Sequence, residues 1–356
     1  MDDPEYAYTS TNFDYEDYKV IPFSEEKSSS MSAIIWVALV LYALAFLVGT
    51  VGNGAVIWVM GFQMKRTVNT VWFLNLSVAD LLCCLSLPFL AVPLVSNYHW
   101  HLGDFACKLL PSLTILNMFA SVLLLMLISI DRCALIIKPI WCQNHRSGHL
   151  AWILCGAAWF LALVLTVPSF FTRQLKHYEG SNMTSCGTNY AVFGGDYHSV
   201  EISVTVTRFL FGFLIPFVVI SVCYGLLISR VHSSRFMRSK KTLKVVLVVI
   251  ISFFVCWAPY HVVGLILAHE SQHSSLYESV SKVDPLVVAL AYINSCINPV
   301  IYVIAGQDFK DKMQRSLKAM LRNILSEEAI LANSMAEGRT QATGTTTEDR
   351  STDTTL

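Results

Sequence analysis

The sequence predicts an all-α membrane protein: a seven-transmembrane helix bundle followed by a short amphipathic cytoplasmic helix. Three observations carry that prediction. The 356 residues are 54% hydrophobic and only 14% charged, where a soluble domain of this length carries nearer a quarter charged residues. Seven apolar runs are each long enough to cross a hydrocarbon core of about 30 Å. The most informative run, Leu286 to Tyr302, sets Asn294, Ser295, Asn298 and Tyr302 into apolar sequence beside Pro299. Asn294 and Asn298 are four apart, so they share a helix face. Pro299 removes a backbone donor and bends the chain next to them. Polar groups in hydrocarbon face a bundle interior or a wet cavity. The run therefore reads as an inward-facing, kinked moving part, against the plainer reading of a packing or pore-lining helix with two buried amides.

The chain opens on a tail, residues 1–32, without apolar periodicity, expected to be disordered and extracellular. Its acids are Asp2, Asp3, Glu5, Asp14, Glu16, Asp17, Glu25 and Glu26, against Lys19 and Lys27. Tyr6, Tyr8, Tyr15 and Tyr18 lie among them. Tyrosines in that setting are candidates for sulfation and for gripping a basic protein ligand; the alternative is a solvating tail with incidental tyrosines. The first residues are acidic rather than basic and apolar, so no cleavable signal peptide is expected.

The runs lie near 33–61, 68–96, 105–138, 149–171, 200–230, 241–269 and 282–304, giving a bundle over 33–304. Loops after the first, third and fifth runs carry Lys65, Arg66, Lys138, Arg146, Arg230, Arg235, Arg238, Lys240, Lys241 and Lys244. That bias puts the amino terminus outside and the carboxyl terminus inside, and an odd number of spans demands the same. Of ten cysteines, only Cys107 and Cys186 then fall on the oxidising side, which predicts a bridge pinning the second outer loop across the bundle mouth. Asn182-Met183-Thr184 in that loop is the accessible N-glycosylation triplet; Asn75-Leu76-Ser77 lies within a span.

Several polar groups sit inside the runs. Asp80 needs a partner or a proton in hydrocarbon. With Asn117 and Ser121 on span three and Asn294, Ser295 and Asn298 on span seven, it forms an oxygen set suited to a sodium ion, or else a water cluster around a protonated acid. Asp131-Arg132 ends span three, where the acid is expected to hold the arginine until something else takes it, or to form an ordinary interfacial ion pair. Trp257 and Pro259 pair a bulky ring with a kink in span six, and Pro216 precedes Tyr224 in span five. Arg208, in the outer half of span five, is expected either to await a ligand carboxylate or to pair with Glu201, two turns away, or with Asp284, expected to open span seven.

After the last run, Phe309, Met313, Leu317, Met320, Leu321 and Ile324 recur at helical spacing with basic residues between them. Residues 305–325 therefore read as an amphipathic helix on the lipids of the inner leaflet. No cysteine follows Cys296, which excludes palmitoylation there. Residues 326–356 read as a disordered cytoplasmic tail in which Ser326, Ser334, Thr345, Thr346, Thr347, Ser351 and Thr352 are phosphorylation candidates.

Together, Gly52-Asn53, LSVADLL, Asp131-Arg132-Cys133, Trp159, CWAPY, Pro216 with Tyr224, and Asn298-Pro299-Val300-Ile301-Tyr302 resemble the rhodopsin-like G-protein-coupled receptors over roughly residues 33–325. Within that family, WFLNLSVADLL, KPIWCQN, KTLKVV, AYINSCINPVIYVIAGQ and RNILSEE resemble the complement anaphylatoxin chemotactic branch. The resemblance implies a plasma-membrane receptor for a basic protein ligand of the complement C5a type. The tail and second outer loop would hold the ligand's body, and its carboxyl-terminal arm would meet Arg173, Glu201, Arg208 and Asp284. It also implies an inhibitory-type heterotrimeric G protein, receptor kinases and arrestin as partners, a chemotactic output, and Asp131, Arg132, Tyr224, Trp257, Pro259, Pro299 and Tyr302 as the coupling switch. Cys133 replaces the usual aromatic after Asp-Arg. LLCCLSLPFLAVP and FFVCWAPYH also resemble a second, non-signalling receptor for the same ligand, but that relative lacks the arginine, the full third inner loop and the span-seven tyrosine kept here as Arg132, the basic 230–244 stretch and Tyr302.

A formyl-peptide or chemokine ligand is the neighbouring alternative. An ion channel or transporter would need an internal repeat or paired broken helices, and the sequence has neither. No nucleophile–base arrangement, metal-ligand cluster or phosphate loop points to an enzyme or a cofactor beyond the allosteric sodium ion, and no nucleic-acid partner is implied.

Overall fold

The structure is a computed structural model that describes residues 33–178, 182–231, 240–305 and 314, with side chains except at 231, 240–245 and 301–305. The tail tyrosines, the amphipathic segment apart from 314, the phosphorylation candidates and the Tyr302 side chain lie outside the described residues.

Among the described residues, seven helical segments are long and apolar enough to cross a membrane. They are α1 Ala33–Trp58, continued by a π turn Val59–Gln63; α2 Val68–Val95; α3 Gly103–Ile137; α5 Gly148–Thr172; α6 Tyr197–Phe209, joined through a π turn Leu210–Leu214 to α7 Ile215–Val231; α8 Lys240–His269; and α9 Ser275–Ala305. The short α4, Pro139–His145, lies between α3 and α5 and starts on a proline, which needs no donor at a first helical position. Local chemistry sets the ends. Thr67 and Thr70 cap each other's backbone at the start of α2, and Ser147 accepts from Leu150 N–H at the start of α5.

Two elements depart from the hydropathy reading. Span seven starts at Ser275, not near 282. Ser274 Oγ accepts from Tyr277 N–H at 3.0 Å, and Lys282 pairs with Glu278 at 2.8 Å one turn apart. Such a polar helical extension is invisible to an apolar count, so Asp284 lies inside α9 rather than at its opening. Span five carries a π turn directly before Ile215-Pro216. Pro216 cannot donate and its ring crowds the preceding turn, which a wider turn relieves.

α3 is the axis of the bundle. Met118, Ala120, Val122, Leu124 and Ile128 are buried, and α3 touches α2, α5, α7 and α8. α1 packs on α2 and α9, where a Cβ on Gly52 would come within 2.8 Å of Pro299 Cβ, so the glycine sets how closely the two helices approach. Over the outer mouth lies an antiparallel hairpin, β1 Arg173–His177 and β2 Thr184–Thr188, with Leu175 opposite Cys186. A disulfide joins Cys186 to Cys107 on α3. The other eight cysteines are free and buried.

Candidate functional site

The outer mouth gathers four charges. Arg208, in the last turn of α6, donates from Nη1 to Tyr260 Oη at 2.9 Å and from Nη2 to Ser169 Oγ at 3.0 Å. These neutral partners replace the internal ion pair that the sequence left open. Arg173, half-buried at the start of β1, has its guanidinium pulled below the ordinary value by burial; Arg208 adds to that, while Tyr260, Tyr190 and Asp284 oppose it. Tyr190, buried in a 3₁₀ turn, has its phenol pushed up by burial and lies within electrostatic reach of Arg173, Arg208 and Glu201. Among the described residues no ion pair joins either arginine to Glu201 or Asp284. Two cations and two carboxylates thus share one mouth without closing on each other. Tyr260 stood in the CWAPY motif and was legible; Ser169 and Tyr190 carried no spacing signal.

Beneath the mouth, Trp257 is fully buried and meets Tyr260 edge-on, with centroids 5.4 Å apart. His261 is also buried and packs against Phe209 and Phe213.

The polar core lies deeper. Asn298 Nδ2 donates to Asp80 Oδ2 at 2.7 Å. Asn117, with its amide oriented to satisfy its neighbours, donates to Asp80 Oδ1 at 3.2 Å and Ser121 Oγ at 3.1 Å, and accepts from Ser295 Oγ at 3.1 Å. Asn53 Nδ2 donates to Ser295 O at 2.8 Å, tying α1 to α9. Five of the six expected residues are therefore joined around one buried carboxylate. The sixth, Asn294, is buried with its Oδ1 unpartnered, as are Asn298 Oδ1, Asn53 Oδ1 and Ser77 Oγ. A buried carboxylate with unpartnered amide and hydroxyl oxygens on α1, α2 and α9 offers the ligand type that fits a small hard cation, and no cluster of three metal-ligating His, Cys, Asp or Glu side chains occurs among the described residues. Asn53 and Ser77 stood in the Gly52-Asn53 and LSVADLL motifs but were not assigned to the ion set, because no spacing rule links residues on α1 and α2 to the span-seven stripe.

At the inner face the expected Asp131–Arg132 contact is corrected. Arg146 takes the Asp131 carboxylate with both ends of its fork, Nε to Oδ1 at 2.7 Å and Nη2 to Oδ2 at 3.0 Å. Consecutive helical residues point about 100° apart and do not face each other, so the chain returning through α4 supplies the partner. Arg132 Nη2 instead donates to Asn69 Oδ1 at 2.6 Å, and Arg146 Nη2 reaches the same oxygen at 2.9 Å. Asn69 thereby bridges two arginines. Arg132 Nε and the Tyr224 hydroxyl are buried without partners. Pro259 lies within α8 and Pro299 within α9. Asn182 is exposed in the hairpin connection.

A family model described as 7 transmembrane receptor (rhodopsin family) matches residues 52–302. The chain is 44% identical over 339 residues to a C3a anaphylatoxin chemotactic receptor of Oncorhynchus mykiss, covering 94% of this chain and 92% of that protein. It is 48% identical over 303 residues to C5a anaphylatoxin chemotactic receptor 1 of Oryctolagus cuniculus, covering 85% and 86%. Over 335 residues it is 44% identical to the Homo sapiens protein of the same name, covering 92% and 94%.

Proposed function

The chain belongs to the rhodopsin family of seven-transmembrane receptors, and we propose that its ligand is a complement anaphylatoxin of the C5a type. It is a multi-pass plasma-membrane protein with a G protein as partner and a peptide or protein as ligand. The observation that carries the ligand class is the unclosed charge set of Arg173, Arg208, Glu201 and Asp284 at the outer mouth. A terminal carboxylate satisfies the planar fork of Arg208 in place of two neutral hydroxyls. Basic side chains of the same ligand arm answer Glu201 and Asp284. The body of the ligand rests on the hairpin and on the acidic amino-terminal tail, where sulfated Tyr6, Tyr8, Tyr15 and Tyr18 add negative charge. Asn182 carries the glycan, and the amino terminus faces outward.

Signalling runs through an inhibitory-type G protein and drives chemotaxis. Ligand at Arg208 biases spans five to seven, which bend at Pro216, Pro259 and Pro299, and Arg132 leaves Asn69 to open the inner cleft. Tyr224 and Tyr302 receive it, and the phosphorylated tail then takes arrestin. Sodium held by Asp80, Asn117, Ser121, Asn294, Ser295 and Asn298 favours the state without ligand, because an ion shifts an equilibrium only through different affinity for its states.

A C3a-type ligand is the second reading, favoured by the name of the trout relative. Cells carrying the full chain and challenged with C5a and C3a, with calcium flux and arrestin recruitment recorded, separate the two. We expect C5a to drive both outputs. A response to C3a alone would transfer the assignment, and silence to both would end it.

A further inference from the structure

Thr184, the first residue of β2, is tied to the first outer loop by both of its backbone groups. Its carbonyl accepts from Trp100 N–H at 2.7 Å, and its N–H donates to His99 Nδ1 at 3.1 Å. The second bond determines the chemistry of the ring. A backbone N–H can only donate, so His99 makes this contact as a neutral imidazole with its proton on Nε2. Protonated histidine carries N–H at both nitrogens and would turn a donor toward a donor.

Two further histidines gather at the same residue. His177 Nδ1 lies 3.2 Å from Thr184 Oγ1, and the His101 ring meets the His99 ring edge-on with centroids 4.0 Å apart. Protonating His101 sets a positive charge beside His99 and disfavours a second proton there, so the pair gives up one proton-binding step before the other. Tyr98, the residue before His99, has its phenol pushed up by burial and by the Asp284 carboxylate, and no ion pair joins a carboxylate to His99 among the described residues. Asp104, opening α3, is engaged by Lys108 at 2.6 Å. Lys176 packs toward Gly187, and burial pulls its amine below the ordinary value. The Tyr178 hydroxyl bonds Ser185. Glu179 lies outside the described residues. A metal is a poor fit, because His99 Nδ1 is already occupied by an N–H and no ligand cluster of the required spacing occurs among the described residues.

The loop side of the contact is firm. Trp100 is 5% exposed and its Nε1 donates to Gly103 O at 2.9 Å. The hairpin therefore has three restraints on β2, the disulfide at Cys186, the Trp100 N–H to Thr184 carbonyl bond and the Thr184 N–H to His99 bond, and only the last responds to protons. We propose that His99, with His101 and His177, is a proton-responsive latch: at neutral pH it adds a second backbone tie between the outer hairpin and the first outer loop, and it drops that tie as the extracellular medium acidifies. The sign follows from the bond. The latched state binds fewer protons than the released state, so latching strengthens with pH and is lost on acidification. This holds whatever ligand the receptor takes.

The test needs no ligand. Amide hydrogen exchange is followed for peptides containing Thr184 in the full chain in lipid nanodiscs, at pH 7.4 and 5.5, after correction for intrinsic exchange. Protection at Thr184 should fall at the lower pH in the parent. His99→Gln presents a side-chain carbonyl that accepts the same N–H without titrating, and its protection should be flat. Unchanged protection in the parent, or an equal fall in His99→Gln, overturns the latch. If His99→Gln is unprotected even at pH 7.4, carbon-13-labelled histidine in the parent decides: the ring resonance missing from that variant must titrate together with protection. A titration displaced from the loss of protection also overturns it.

Discussion

The outer and inner mouths of the bundle both present arginines and acids, but they use them in opposite ways. At the inner face Arg146 holds Asp131 with two bonds, and Asn69 bridges Arg146 to Arg132. Every partner is supplied by the chain itself. At the outer mouth Arg208 rests on two hydroxyls, and neither it nor Arg173 closes on Glu201 or Asp284. A carboxylate takes the guanidinium fork with two parallel bonds and brings the opposite charge, where each hydroxyl offers one bond and only a dipole, so the outer set gains when a charged ligand replaces the hydroxyls. The inner set already closes its one carboxylate in an ion pair with Arg146, and leaves Arg132 on the Asn69 amide with its Nε unpartnered. Open charges suit recognition, and closed charges suit a switch.

The largest effect that would break this contrast lies at the inner face. Arg132→Ala should abolish agonist-driven nucleotide exchange on the G protein while leaving agonist binding measurable in the same membranes. Exchange at parental rates would remove Arg132 from the switch.

Arg208→Ala comes next. It should weaken an agonist with a free terminal carboxylate by about 1–3 kcal/mol, the range of a lost charge-assisted bond, and leave an amidated agonist nearly unchanged. Competition binding with the matched acid and amide peptides reads the difference. Equal losses would return Arg208 to a purely internal role with Tyr260 and Ser169.

The polar core between the mouths should sharpen the contrast. Replacing an inert organic cation with sodium at fixed ionic strength should lower agonist affinity several-fold in the parent, and Asp80→Asn should remove that dependence. Indifference of the parent to sodium would leave a water cluster as the reading of the core.

The smallest expected effect is at Arg146. Its pair with Asp131 is partly solvent-exposed, at 23% and 10% for the two side chains, and such pairs contribute about 1 kcal/mol or less. Arg146→Ala should therefore raise basal nucleotide exchange by about two- to five-fold, and Arg146→Lys should restore part of the restraint. Unchanged basal exchange in Arg146→Ala would mean that Asn69 alone restrains Arg132.

The sequence by itself determined the seven spans, the Cys107–Cys186 bridge and the polar residue types available inside spans two, three and seven. Each of these depends on a property that survives without coordinates. A run is apolar for the length of a bilayer, the charge bias of the loops leaves two cysteines on the side expected to be oxidising, and Asn294 and Asn298 share a helix face wherever that helix packs. Which atoms meet was decided by the tertiary structure. Asp131 and Arg132 are neighbours in the chain yet point apart around α3, and Arg146 reaches the acid only because α4 turns the chain back. Ser169 and Tyr260 reach Arg208 from two other spans, and Asn53 reaches Ser295 from a third. Thr184 meets His99 across the outer loops through a tautomer that no sequence pattern specifies. Hydropathy reports whether a segment lies in lipid; partner choice depends on helix rotation, crossing geometry and loop return, and these arise only once the helices pack.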